Sequence, residues 1–166
     1  NFFKNKIKYF KISSSDITNF PLIEKVAKTK KPIILSTGAS NVHEIKNAVR
    51  LINKYNKKLI LLHCILNYPT KRYDANLGMI DDLQKKFNLP VGLSDHTHPK
   101  DSHDILILAA MKNISLIEKH FTNNKSKKGN DHFHSFDKND LIKFNQRILD
   151  TKKIINKKKK NFLKSE

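Results

Sequence analysis

Two short apolar runs within residues 90–132 constrain the fold more than any other feature of the sequence. Pro90-Val91-Gly92-Leu93 opens into Ser94-Asp95-His96-Thr97, and Ile114-Ser115-Leu116-Ile117 opens into Glu118-Lys119-His120-Phe121-Thr122. Short apolar runs that end in polar turn residues read as buried strands, and Ser102 to Lys112 between them reads as a helix. A strand, a helix and a strand form a right-handed crossover, which makes the two strands parallel and, as a rule, neighbours. His96 and His120 then leave adjacent strands at the same carboxyl-terminal edge. Such strands lie about 4.8 Å apart, so two imidazoles there can meet one ion. Active sites of α/β barrels occupy this edge.

The same alternation runs upstream. Ile7-Lys8-Tyr9-Phe10-Lys11-Ile12 reads as a strand, followed by the turn Ser13-Ser14-Ser15-Asp16. Pro21 suits the first turn of a helix carrying Leu22, Ile23, Val26 and Ala27. Pro32-Ile33-Ile34-Leu35 is a second strand, ending in Ser36-Thr37-Gly38. Asn41 and Glu44 have the spacing of a capping box, and the helix they start places Ile45, Ala48, Val49 and Ile52 on one face. Leu59-Ile60-Leu61-Leu62 is a third strand, and a helix from about Asn76 to Phe87 follows it. The last helix runs from about Lys138 to Ile155, capped by Asp137. Continuous apolar strands alternating with helices argue for a parallel sheet covered on both faces. Five strands do not close a barrel that needs eight, so pattern alone leaves an open doubly wound sheet or part of a barrel.

A chain of 166 residues with 38% hydrophobic residues can build one domain with a core. Its net charge of +18 raises a nucleic-acid partner. The lysines are scattered, however, and only Lys157 to Lys160 form a run, so solvated helix faces are the preferred reading. The one cysteine, Cys64, has no internal disulfide partner, which fits a reducing cytoplasm. No apolar stretch has the length of a membrane span. The start, Asn1-Phe2-Phe3-Lys4, has neither Met nor a signal pattern and reads as a chain whose beginning is missing.

Every strand ends in chemistry. Lys11, Ser14 and Asp16 follow the first; Ser36, Thr37 and Gly38 the second; His63, Asn67 and Tyr68 the third. A lysine, several hydroxyls and a glycine turn suit a phosphate or carboxylate. Neutral imidazoles suit a divalent transition metal. His43, His98 and His103 fall on expected surface, His63 is expected to line the interior, and His132 and His134 to order the last loop. Period-two alternation puts Glu118 and His120 on one side of their strand and Lys119 on the other, towards the helices.

These residues carry a resemblance. Lys11-Ile12-Ser13-Ser14-Ser15-Asp16, Ile34-Leu35-Ser36-Thr37-Gly38, Leu61-Leu62-His63-Cys64 with Tyr68-Pro69-Thr70, Gly92-Leu93-Ser94-Asp95-His96-Thr97, and Glu118-Lys119-His120-Phe121-Thr122 with Gly129-Asn130-Asp131-His132 occur in the order and spacing of the sialic acid synthase family. This is the N-acetylneuraminate synthase group with its legionaminic and pseudaminic acid relatives. The resemblance implies an α/β fold, a partial TIM (β/α)8 barrel comprising about strands 4–8. Residues 1–155 would be an incomplete catalytic barrel, and 156–166 a basic linker towards an absent C-terminal antifreeze-like domain.

The family reaction condenses phosphoenolpyruvate with an N-acetylmannosamine-type sugar, releasing phosphate. The resemblance implies a divalent metal cofactor, manganese first and magnesium or cobalt as alternatives, held by His96 and His120. Lys11, Ser14, Ser36 and Ser94 would hold phosphoenolpyruvate, and Tyr68 would border the pocket. Glu118 and Asp16 are the implied catalytic carboxylates, Glu118 beside the reacting carbons, with Asp16 and Asp131 facing the sugar. A cytoplasmic homodimer is implied for the complete protein, with the isolated stretch inactive. Leu66, Arg72-Tyr73, Asn123-Asn124 and Asn130 depart from the family pattern without touching a metal ligand. Two other readings remain: a different metal-dependent β/α-barrel lyase or aldolase, and a basic nucleic-acid-binding fragment.

Overall fold

The computed structural model describes residues 6–129 and 131–155. The basic segment 156–166, with Lys157 to Lys160, and Asn130 lie outside the described residues. Five strands alternate with five helices: β1 Phe10–Ile12, α1 Phe20–Ala27, β2 Ile33–Ser36, α2 Val42–Tyr55, β3 Leu59–His63, α3 Gly78–Phe87, β4 Val91–Asp95, α4 Pro99–Met111, β5 Ile117–Lys119 and α5 Lys138–Ile155. All strand pairs are parallel, and the order in the sheet is β1-β2-β3-β4-β5. Each helix is therefore a crossover between neighbouring strands or follows the last one.

Local sequence chemistry starts the helices where expected. The Asn41 side chain accepts from the Glu44 N–H while Glu44 accepts from the Asn41 N–H, satisfying two otherwise orphaned donors. The face that α2 buries is Ile45, Ala48, Val49 and Ile52. Asp137 caps α5, accepting from the Asp140 N–H at 2.9 Å. The helix α4 begins earlier than the apolar pattern suggests, at Pro99, because proline suits a first turn and the His98 ring accepts from the Lys100 N–H. The last strand is displaced along its run: Ser115 N–H already bonds Val91 O, but the regular strand is Ile117–Lys119.

Alternation sorts each strand into two sets. Ile12, Ile33, Leu35, Leu59, Leu61, Val91 and Leu93 join one core with the buried faces of α1 to α4. The residues between them face the other side of the sheet. Two histidines depart from expectation. His63 turns to the helical side, fully buried, with Nε2 2.8 Å from Ala75 O, because it shares the parity of Leu59 and Leu61. His103 is not on the surface but stacks on Phe136 with ring centroids 5.0 Å apart.

The sheet is curled. In a flat sheet β1 and β5 would lie about 19 Å apart, four spacings of roughly 4.8 Å. Yet Lys11 Nζ of β1 reaches Glu118 Oε2 of β5 at 3.2 Å. The five strands are a half-barrel with helices outside and the site on the concave face. No helix among the described residues is long and apolar enough to cross a membrane.

The concave face admits no side chain at Gly92. A Cβ there would stand 2.5 Å from Leu116 O and 2.7 Å from Leu62 Cδ2, so β4 and the chain entering β5 approach only because this residue is glycine. Gly92→Ala is expected to destabilise by about 1–3 kcal/mol, the usual range for overpacking. Gly78→Ala, whose Cβ meets nothing closer than Asn76 Oδ1 at 3.6 Å, should not destabilise. Denaturant unfolding of both variants checks this.

Candidate active site

The concave edge is organised by a link across the half-barrel. Glu118 accepts from Ser94 Oγ at 2.6 Å through one oxygen and faces Lys11 Nζ at 3.2 Å through the other. Ser94 and Glu118 are register partners on β4 and β5. The lysine–carboxylate pair is about a third exposed, so its net contribution to stability is small, about 0–1 kcal/mol. Its significance is positional: a cation, a carboxylate and a hydroxyl from three strands meet at one point.

His96 follows in the same row. Its Nδ1 lies 2.7 Å from Ile65 O; a carbonyl only accepts, so Nδ1 is the protonated nitrogen. Burial holds this imidazole below its ordinary pKa, with His120 adding to the effect and the Ile65 carbonyl opposing it. The neutral ring therefore carries its lone pair on Nε2. Ser94 Oγ is 3.4 Å from Nε2, but its single proton goes to Glu118. That lone pair is left for a ligand. The bond to Ile65, with Thr70 N–H donating to His96 O at 2.9 Å, also folds the loop after β3 over β4.

That loop delivers Tyr68, whose ring centroid lies 4.2 Å from His96, 5.8 Å from His120 and 5.6 Å from His134. Burial raises its phenol pKa, and Cys64, Asp131 and Glu118 add to the rise. The rings of His96 and His120 are 5.3 Å apart, nearly perpendicular. Asp131 Oδ1 comes within 3.8 Å of His120 Nδ1.

The second side of the pocket is built around Cys64. A Cβ on Gly38 would stand 2.8 Å from Cys64 Sγ and 3.3 Å from Ser14 Oγ, so the Ser36-Thr37-Gly38 turn needs its glycine to pack against both. Ser14 and Ser36 are buried here. Burial pushes the Cys64 thiol up, while hydrogen bonds from the Gly38 and Thr37 backbone and the Ser36 hydroxyl pull the other way. Asp16 stands apart, in the short 3-10 turn Ser14–Asp16, accepting from the Asn19 side chain at 3.3 Å.

Behind the edge, on the helical side, lies a buried ion pair. Lys119 Nζ is 2.9 Å from Asp95 Oδ2, and both side chains are almost fully covered. Asp95 also accepts from the Thr97 N–H, Thr97 Oγ1 and Ser102 Oγ, at 2.7–3.0 Å. Burial lowers the Lys119 pKa, against the pull of Asp95. Lys119 thus takes the structural position that alternation assigned it.

Of the site residues anticipated from sequence, Lys11, Ser94 and Glu118 are joined directly, and Tyr68, His96, His120 and Asp131 gather beside them. Ser14 and Ser36 line the Cys64 side, and Asp16 has no contact to the rest of the set. From sequence, His134 is expected to order the last loop, and Cys64 carries a redox reading and a place in the motif after the third strand. The return of residues 131–135 to the end of β5 depends on the pairing of Phe121 with Phe136, for which the sequence carries no periodic signal.

A curled sheet of β/α units with its polar residues at the carboxyl edge is part of a β/α barrel, and comparison with known proteins agrees. The profile of the NeuB family matches residues 2–160, and the chain belongs to that family. An uncharacterised protein of Methanocaldococcus jannaschii is 48% identical over 139 residues, covering 81% of this chain and 39% of that protein. The N,N'-diacetyllegionaminic acid synthase of Campylobacter jejuni is 41% identical over 138 residues, covering 81% and 40%. The crystal structure of the N-acetylneuraminic acid synthetase of Leptospira borgpetersenii in complex with citrate superposes with a TM-score of 0.83 at 34% identity, over 96% of this chain and 55% of that one. The chain therefore spans 39–40% of the length of these two curated relatives.

The donor set fits the divalent ion that the resemblance implies. A neutral imidazole fixed through Nδ1 to a carbonyl, with Nε2 unserved, is the arrangement by which metal-ligating histidines are oriented; the His120 ring has its centroid 5.3 Å away.

Removing the buried lysine tests the frame behind this edge. Lys119→Met leaves Asp95 without its cation and is expected to destabilise by about 3–5 kcal/mol. Adding Asp95→Asn to the same chain should recover much of that loss. Urea unfolding of the single and double variants measures the coupling.

Proposed function

We propose that this chain carries the phosphoenolpyruvate-binding and metal-binding edge of a nonulosonic acid synthase, which joins phosphoenolpyruvate to an N-acetylated amino sugar and releases phosphate. The observation that supports it best is the junction of Lys11, Glu118 and Ser94 beside the unserved Nε2 of His96.

In this reading Lys11 leaves Glu118 to meet the phosphate or carboxylate of phosphoenolpyruvate, and the Ser14, Ser36 and Ser94 hydroxyls donate to the remaining oxygens. Tyr68 borders the pocket beside the histidines. A divalent ion held by His96 and His120, manganese by preference, would supply Lewis acidity to the carbonyl of the open-chain sugar. The enol carbon of phosphoenolpyruvate bonds to the aldehyde carbon. Positive charge then develops at C2, and water adds there before the C2–O bond to phosphate breaks. Glu118, released from Lys11, would stabilise that charge or accept the proton of the water, while the former aldehyde oxygen takes up a proton to become the new hydroxyl. Asp16 serves the sugar hydroxyls from its turn beyond β1.

Several lysines are paired at the surface, as Lys28 with Glu24, Lys112 with Asp81 and Lys125 with Asp137.

A charge-assisted bond from Lys11 to phosphoenolpyruvate should contribute about 1.5–3 kcal/mol, roughly ten- to a hundredfold in affinity. In the whole protein Lys11→Ala should raise KM for phosphoenolpyruvate by that factor and leave KM for the sugar within about twofold. Asp16→Ala should do the reverse. Steady-state kcat/KM for each substrate decides between them; loss against the sugar alone in Lys11→Ala would reverse the orientation of the site.

A further inference from the structure

The Tyr68 ring touches three imidazoles, with centroids 4.2 Å from His96, 5.8 Å from His120 and 5.6 Å from His134. None of them ties it down. Its hydroxyl bonds no group among the described residues, and neither nitrogen of the buried His134 has a hydrogen-bond partner there. The loop that carries it, between the end of β3 and the 3-10 turn Arg72–Ala75, forms no regular strand or helix. A ring without a polar anchor, on a loop without a ladder, takes its position from its backbone.

That backbone is fixed at Thr70. The Thr70 N–H donates to His96 O at 2.9 Å, and the residue makes an isolated parallel bridge with Thr97. Its side chain is buried, and Oγ1 donates to Asn67 O at 2.8 Å. Ile65 O is farther from that hydroxyl, at 3.5 Å, and already accepts from His96 Nδ1 at 2.7 Å. The bond to Asn67 closes the turn from Asn67 to Thr70 and holds the peptide that leads directly into Tyr68. On its other side Thr97 is itself held, with N–H and Oγ1 on Asp95 and Oγ1 2.9 Å from Ser102 Oγ. Thr70 thus links a buried polar frame to an aromatic ring at the edge of the pocket.

We propose that Thr70 is a positioning residue of the proposed active site: its hydroxyl, through Asn67, holds the Tyr68 ring against His96. The inference deepens the proposed function and rests on its reading of this edge as the catalytic pocket. Thr70 is buried and acts through Tyr68 rather than on a substrate. The hydroxyl is what matters, not the branched shape. Its acceptor is a main-chain carbonyl, which serine can serve and valine, nearly the same in outline, cannot. A carbonyl that loses its donor turns towards another partner, and the ring that follows it in the chain moves too. A displacement of about 1 Å in a site can cost about a hundredfold in rate.

Steady-state kinetics of the whole protein, with phosphoenolpyruvate and an N-acetylated amino sugar, tests it. Thr70→Val should lower kcat about ten- to a hundredfold. It should leave KM for phosphoenolpyruvate within about twofold, because Lys11, Ser14 and Ser36 are untouched. Thr70→Ser should return kcat to near the wild-type value. A double-variant cycle separates positioning from general support: in a Tyr68→Ala background, Thr70→Val should have little further effect. NMR of the unliganded protein gives a reading that needs no activity. Cross-relaxation between the Tyr68 and His96 ring protons is expected in the wild type and in Thr70→Ser, and its loss in Thr70→Val. If the ring contact behaves so while the wild-type protein does not turn over phosphoenolpyruvate, the positioning role stands and the proposed reaction falls. A folded Thr70→Val with wild-type kcat or with the ring contact intact, or losses that add in the cycle, overturns the proposal. Thr70→Ala is the second variant if Thr70→Val does not fold. Failure of both to fold makes the hydroxyl a requirement of folding and also overturns it.

Discussion

The buried pair of Asp95 and Lys119 fixes the geometry on which the site depends. These residues are register partners at the carboxyl ends of β4 and β5, and their charges meet on the helical side, out of water. Alternation then carries His96 and His120, the residues that directly follow the two strands, to the opposite face, with ring centroids 5.3 Å apart. A one-residue slip would place a lysine in the concave pocket and a histidine among the helices. Desolvating two charges is costly, and such a pair is weak evidence for stability in itself. Its three further hydrogen bonds to Asp95 reduce that cost and make the register specific.

Curvature supplies the rest. A parallel sheet must be covered on both faces, and here helices cover one face only. The other is concave, so that β1 and β5, which share no backbone hydrogen bonds, still share the contact of Lys11 with Glu118. The convex side carries the packed core and the concave side the unsatisfied chemistry: the His96 lone pair, the Tyr68 ring and the orphaned nitrogens of His134. The packed core and the candidate site occupy opposite faces of the same strands, separated by one residue of parity.

The local elements were readable because their causes are local. Asn41 and Glu44 announce their helix through a fixed three-residue spacing, and Ile45, Ala48, Val49 and Ile52 announce its buried face through the helical period. Parity placed Lys119 correctly. The same rule applied to His63 would have turned it to the helices, since it follows Leu59 and Leu61 at even spacing; its polarity suggested the interior instead. His103 against Phe136 and His134 against His120 depend on how the last loop and α5 return to the sheet. Such long-range contacts leave no periodic trace. The strand-end motifs are local and point to the family, whereas the return of the loop after β5 over the strand has no local signature.

Anomalous diffraction from crystals grown with Mn2+ and phosphoenolpyruvate tests the central claim most directly, because it locates the metal and the phosphate in one experiment. The account predicts one manganese peak at the His120 ring, the phosphate or carboxylate on Lys11 Nζ, and the Lys11–Glu118 contact parted. Manganese remote from the ends of β4 and β5, or phosphoenolpyruvate bound with Lys11 still on Glu118, would contradict it.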